Sequence, residues 1–149
     1  MYKLISFLFL LLPLNAKAET IEYWSCKQSH KLSETMFGVN EYTTRYNFES
    51  KTSIQEGRVI ITDKSKKSEI NYTIEFDYTE VENNSKSIVR DVKSKIVQDE
   101  LQLFSGDAFR GLPNVGDIVQ GKFKMLDNNT KHLSFEGGTV VECLKSLSS

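Results

Sequence analysis

Ile70-Asn71-Tyr72-Thr73-Ile74-Glu75-Phe76-Asp77-Tyr78 alternates large apolar and polar residues without a break. A period of two sends successive side chains to opposite faces, so this stretch predicts a strand with one buried and one solvated side. Working outward, Tyr42, Thr44, Tyr46 and Phe48 alternate in the same way with Glu41, Thr43, Arg45, Asn47 and Glu49, and Arg58 to Thr62 is a β-branched run that follows Gly57. Glu22 to Lys27 reads as a first strand and Leu101 to Phe104 as a short one. Towards the C-terminus, Asp117 to Leu126, His132 to Phe135 and Thr139 to Leu144 are separated by the turn-forming residues Asp127 to Asn129 and Glu136 to Gly138. Those turns predict three consecutive antiparallel strands.

The segment 86–97 is ambiguous. Ile88, Val92 and Ile96 recur at the i, i+4, i+8 spacing of a helix, but Val89 and Val97 fit neither face; the strand reading is preferred, with helix as the alternative. Taken together the pattern predicts an all-β or mostly β fold, a small antiparallel meander barrel or sandwich of about seven to nine strands.

Met1 to Lys3 is a short positive start, Leu4 to Leu14 is almost wholly apolar, and Ala16-Lys17-Ala18 is an A-x-A cleavage pattern. Residues 1–18 therefore read as a signal peptide cut after Ala18, leaving 19–149 as a single β domain, periplasmic or secreted. The apolar run is too short to cross a bilayer of roughly 30 Å, and no later segment approaches the roughly 18 apolar residues that a membrane-spanning helix needs. Loss of Lys3 and Lys17 with the leader leaves 17 of the 19 basic residues against 20 acidic ones, a net charge of about −3. That balance argues against nucleic acid as a partner. Lys64, Lys66 and Lys67 lie in a Ser-rich stretch and read as a solvated turn.

The mature chain holds two cysteines, Cys26 near its start and Cys143 near its end. In an exported protein two cysteines are expected to pair, which brings their Cα atoms within about 7 Å and makes the first and last strands neighbours. Cys26 with His30, and His132 with Cys143, could form a tetrahedral Cys2His2 metal set, but the second spacing fits no familiar zinc motif, and no metal or other cofactor is expected.

Val115-Gly116-Asp117-Ile118-Val119-Gln120-Gly121 resembles the opening of an S1-type oligonucleotide-binding barrel, but too little chain follows it for such a barrel. Ser105-Gly106-Asp107-Ala108-Phe109 resembles the inhibitory loop of periplasmic C-type lysozyme inhibitors, small β-barrels with one disulfide joining their ends. Phe109 stands where that family usually has Tyr, and the segment from Cys26 to Ser105 is far longer than in that family, so the family's functional residues are not carried over. Asn71, Asn83 and Asn128 begin N-x-S/T sequons, which in a chain this rich in Asn, Ser and Thr arise by chance.

Catalytic motifs are missing: there is no G-x-S-x-G, no H-E-x-x-H and no phosphate-cradling glycine loop. Asp99 and Glu100 are an adjacent acidic pair of the kind usually solvated in loops. An enzyme is not expected. Tyr42, Tyr46, Phe48, Tyr72, Phe76 and Tyr78 should instead crowd the buried face, and a barrel that leaves a cavity would line a pocket for a small apolar or aromatic ligand with them. The alternatives are a protein-binding or inhibitory module acting on an exported partner through the 105–114 loop, with Ser105, Gly106, Phe109 and Arg110 as its contact residues, and a structural envelope protein with no ligand.

Overall fold

The computed structural model describes residues 20–105, 111–135 and 138–146. The predicted leader lies outside them. Eight strands follow one another: β1 (Ile21–Lys31), β2 (Met36–Asn47), β3 (Thr52–Asp63), β4 (Lys66–Val81), β5 (Asn84–Asp99), β6 (Ile118–Met125), β7 (Thr130–Phe135) and β8 (Val140–Ser146). Each pairs antiparallel with the next, and β8 pairs with β1, so the meander closes into a barrel. Closure leaves no sheet end to be capped.

The alternating stretch from Ile70 to Tyr78 is the middle of β4. Ile70, Tyr72, Ile74, Phe76 and Tyr78 are all buried, and so are Tyr42 and Tyr46 of β2. Phe48 departs from the expectation. It lies one residue beyond β2 in the β2–β3 turn and is 36% exposed, stacking on Tyr46 and meeting Tyr78 edge-on. A last backbone bond runs from the Phe48 amide to the Thr20 carbonyl, and the Asn47 side-chain oxygen accepts the backbone N–H groups of Glu49 and Ser50 and so starts the turn.

The uncertain segment is a strand, β5, and its helix-like spacing has a cause. Opposite β4 the register slips between Glu69 and Ile70 and between Glu75 and Phe76, leaving Val97 and Arg90 without direct partners. Each slip inserts one extra residue, so the residues opposite the inward side of β4 are Ser87, Val89, Val92, Ser94 and Ile96. The step of three between Val89 and Val92 breaks the period of two.

Two further expectations change. Gly57 does not begin a strand but lies inside β3, because an added Cβ there would come within 2.6 Å of Tyr42 Cβ and 2.8 Å of the Tyr72 hydroxyl. The residue lets two facing tyrosines close over the backbone. Leu101 to Phe104 is not a strand. It begins the long β5–β6 connection, where Phe104 is buried with Ile61 and Ile70 and is joined there by Leu101, Leu103 and Leu112. This connection plugs one end of the barrel.

Cys26 and Cys143 form a disulfide with a Cα–Cα distance of 4.1 Å and sit directly opposite each other in the β1–β8 pairing. Both sulfurs are thereby committed, which overturns the Cys2His2 alternative. A disulfide across 117 residues belongs to an oxidising, non-cytoplasmic setting. No helix among the described residues is long and apolar enough to cross a membrane.

Candidate functional site in the barrel lumen

The two ends of the barrel differ. At the plugged end, Asp99 holds the start of the β5–β6 connection by accepting hydrogen bonds from the Ser68 and Ser105 hydroxyls and from the backbone N–H groups of Leu103, Phe104 and Ser105. Partial desolvation works to raise the Asp99 pKa, but the bonds from Ser105, Ser68 and the backbone outweigh it and hold the carboxyl down at about 2. The other end, the mouth, carries the β2–β3, β4–β5 and β6–β7 turns.

Between mouth and plug the lumen is not filled. A chamber of about 80 Å³ is lined by Tyr42, Tyr46, Phe76 and Tyr78 together with the polar side chains of Thr44, Ser53, Gln55, Ser85, Ser87 and Lys131. A second, of about 170 Å³, is lined by Tyr42, Gln55, Tyr72, Ile74 and Phe76 and reaches Leu112 and Pro113 of the plug. Tyr42, Gln55, Phe76, Val119 and Phe135 border both. Five of the six aromatic residues marked in the sequence therefore face the lumen, and Phe48 caps the ring cluster at the mouth. An open groove of about 830 Å³ on the outer wall is lined by charged residues such as Lys27, Glu41 and Arg58, which are already paired with one another.

Lys131 is the residue that sequence reasoning missed. It lies opposite Cys143 in the β7–β8 pairing, points inward, and is only 8% exposed. Its ammonium stands 4.1 Å from the Trp24 ring centre and 4.5 Å from that of Tyr46. Burial pushes its pKa down to about 8, against the opposing pull of Glu80 and Glu22 and with a small push from Lys145. Neither carboxylate forms a direct ion pair with it: Glu80 accepts a hydrogen bond from the Tyr78 hydroxyl, and Glu22 accepts one from the Trp24 indole and another from Lys145. The signal was present in the spacing, since counting back by two from Phe135 and Leu133 puts Lys131 on the inward face.

The tyrosines differ in how they are satisfied. The Tyr72 hydroxyl accepts from Gln55 and donates to Asn40. The Tyr42 hydroxyl makes no hydrogen bond among the described residues, and burial raises its pKa well above the ordinary phenol value. Of the 105–114 loop, Gly106, Phe109 and Arg110 lie outside the described residues, while the hydroxyl and amide of Ser105 are spent on Asp99.

No protein-family model matches the chain, and comparison with curated proteins finds none similar to it.

Proposed function

We propose that this is an exported, non-catalytic binding protein that takes a small ligand with an aromatic or apolar body into the barrel lumen through the mouth, after loss of residues 1–18 delivers it to the periplasm or the exterior. The observation that carries the reading is the pair of adjoining chambers that share Tyr42, Phe76 and Phe135 and whose remaining lining mixes aliphatic side chains with a few hydroxyl and amide groups and the Lys131 ammonium, the mostly apolar lining with few polar groups that ligand sites have. The disulfide supports export. The chambers also bound the ligand: drug-sized sites occupy about 300 to 1,000 Å³, whereas an apolar cavity of about 150 Å³ holds benzene. A single ring with a short substituent suits the space; a lipid chain does not.

Trp24 is the sole tryptophan and its ring packs against the ammonium of Lys131, which lines the smaller chamber, so its fluorescence reports occupancy. Titration with benzyl alcohol should change its emission saturably, and Ser87→Phe, which fills part of the smaller chamber, should remove that response while leaving the barrel folded. Native mass spectrometry of protein purified from its host should show a bound mass below that of a lipid. A Trp24 signal indifferent to small aromatic probes, with no co-purifying mass, defeats the proposal.

A further inference from the structure

The geometry points to Lys131 and Tyr42 as the anchor of a carboxylate, so that the ligand is a small monocarboxylate whose ring or apolar body fills the lumen. This rests on the lumen being a ligand site and names the chemistry that it selects.

In the smaller chamber the Lys131 ammonium and the Tyr42 hydroxyl make no hydrogen bond among the described residues, and both residues are at least nine-tenths buried. Tyr72 is bonded to Gln55 and Asn40, Tyr78 is bound to Glu80, and Glu22 is held by Trp24 and Lys145, while the Ser53 and Ser87 hydroxyls of the same lining are neutral and both donate and accept, so they select no charge. An ammonium and a phenol are both donors. A carboxylate is the small group that accepts from both and carries the charge that a buried ammonium lacks. The ring contacts of Lys131 with Trp24 and Tyr46 hold the ammonium in place but leave its N–H groups without an acceptor oxygen. Glu80, Glu22 and Lys145 are the other charged groups that act on it, two carboxylates against one ammonium, so selection for the anion falls to Lys131 itself.

Isothermal titration of the processed, disulfide-bonded protein with benzoate and with its neutral counterpart benzamide tests the inference. Wild type should bind benzoate at least about ten-fold more tightly than benzamide, the margin a charge-assisted hydrogen bond provides. Lys131→Met should lose that margin and keep its affinity for benzamide within about three-fold. Tyr42→Phe, which preserves packing and charge, should narrow the margin without removing it, and keeps the inference testable if Lys131→Met does not fold. Equal affinity for both compounds in wild type, or a folded Lys131→Met that still prefers benzoate, overturns the anchor and leaves the lumen site standing. Failure of both compounds to bind overturns the anchor and the lumen site together.

Discussion

Lys131 sets a cost against a use. An ammonium taken out of water without a carboxylate partner destabilises the folded chain, and contact with two rings offsets only part of that. Replacement by Met, which has a similar shape and no charge, is expected to raise stability at pH 7 by about 1 to 2 kcal/mol in urea unfolding while abolishing selection for an anion. A folded pKa of about 8 against an ordinary 10.5 means that the unfolded chain binds more protons between those values, so stability should rise as pH goes from 8 to 10, by at most about 1.4 kcal/mol per unit. Above about pH 10 the buried tyrosines reverse the trend, since Tyr46, raised to about 12 by burial, keeps a proton that the unfolded chain gives up. Lys131→Met should flatten the rise between pH 8 and 10 and leave the fall above it. Gly57 makes the opposite kind of demand, for absence of side chain. Gly57→Ala places a methyl group against Tyr42, Tyr72 and the Glu41 carbonyl, none of which can withdraw without opening the β2–β3–β4 seam. A loss of about 2 to 3 kcal/mol is expected by urea unfolding, and a loss below about 0.5 kcal/mol would show that the seam is looser than its distances imply. Gly57 did not announce its role in the chain, and Lys131 did so only through the two-residue spacing it shares with Leu133 and Phe135. A glycine before a β-branched run reads as a boundary, and a lysine between Thr130 and His132 reads as surface.

Strands and connections were legible to different degrees for physical reasons. β4 was plain because its whole buried face lies on one unbroken period of two, while β5 carries two inserted residues, at Arg90 and Val97, that shift its phase and imitate helical spacing. The β3–β4 and β4–β5 turns hide in another way, since the residues with positive φ are Lys64 and Glu82 rather than Gly. Leu101 to Phe104 was apolar because it packs, and its role as a plug depends on an Asp99 that sequence alone would leave solvated. That dependence makes a prediction about the connection. Asp99→Asn keeps the shape but weakens acceptance from five donors, so the Leu103, Phe104 and Ser105 amides should exchange with solvent at least about ten-fold faster while amides of β1 and β2 keep their protection. Acid should imitate the substitution. The Asp99 pKa is depressed in the fold, so its contribution is complete above the ordinary value of 3.8 and is lost as pH falls through about 2. Exchange at those amides that does not respond to Asp99→Asn would mean that the apolar packing of Phe104 alone holds the plug.

The barrel as a whole is closed twice along one seam, by five residue pairs between β1 and β8 and by sulfur at one of those pairs. The sequence called for the two termini to meet and left open whether they met in a barrel or a sandwich; pairing all the way round decides for the barrel, and the lumen follows from it, because sandwich sheets would have interdigitated those tyrosines. The seam also connects covalent structure to the site. Cys143 lies opposite Lys131 on one side and Cys26 on the other, and Trp24, two residues from Cys26, forms a face of the Lys131 cage. Chain-entropy arguments put the cross-link at about 4 to 5 kcal/mol for a loop this long. Replacing both cysteines by Ala should therefore cost a few kcal/mol in denaturant unfolding but leave a β spectrum by circular dichroism, because the seam hydrogen bonds and the remaining aromatic core persist. The Trp24 environment should change more than the spectrum does, with a red-shifted emission as the β1–β8 edge loosens beside it. A double variant that matches wild type in both stability and Trp24 emission would show that the strands alone define the mouth, with no contribution from the disulfide.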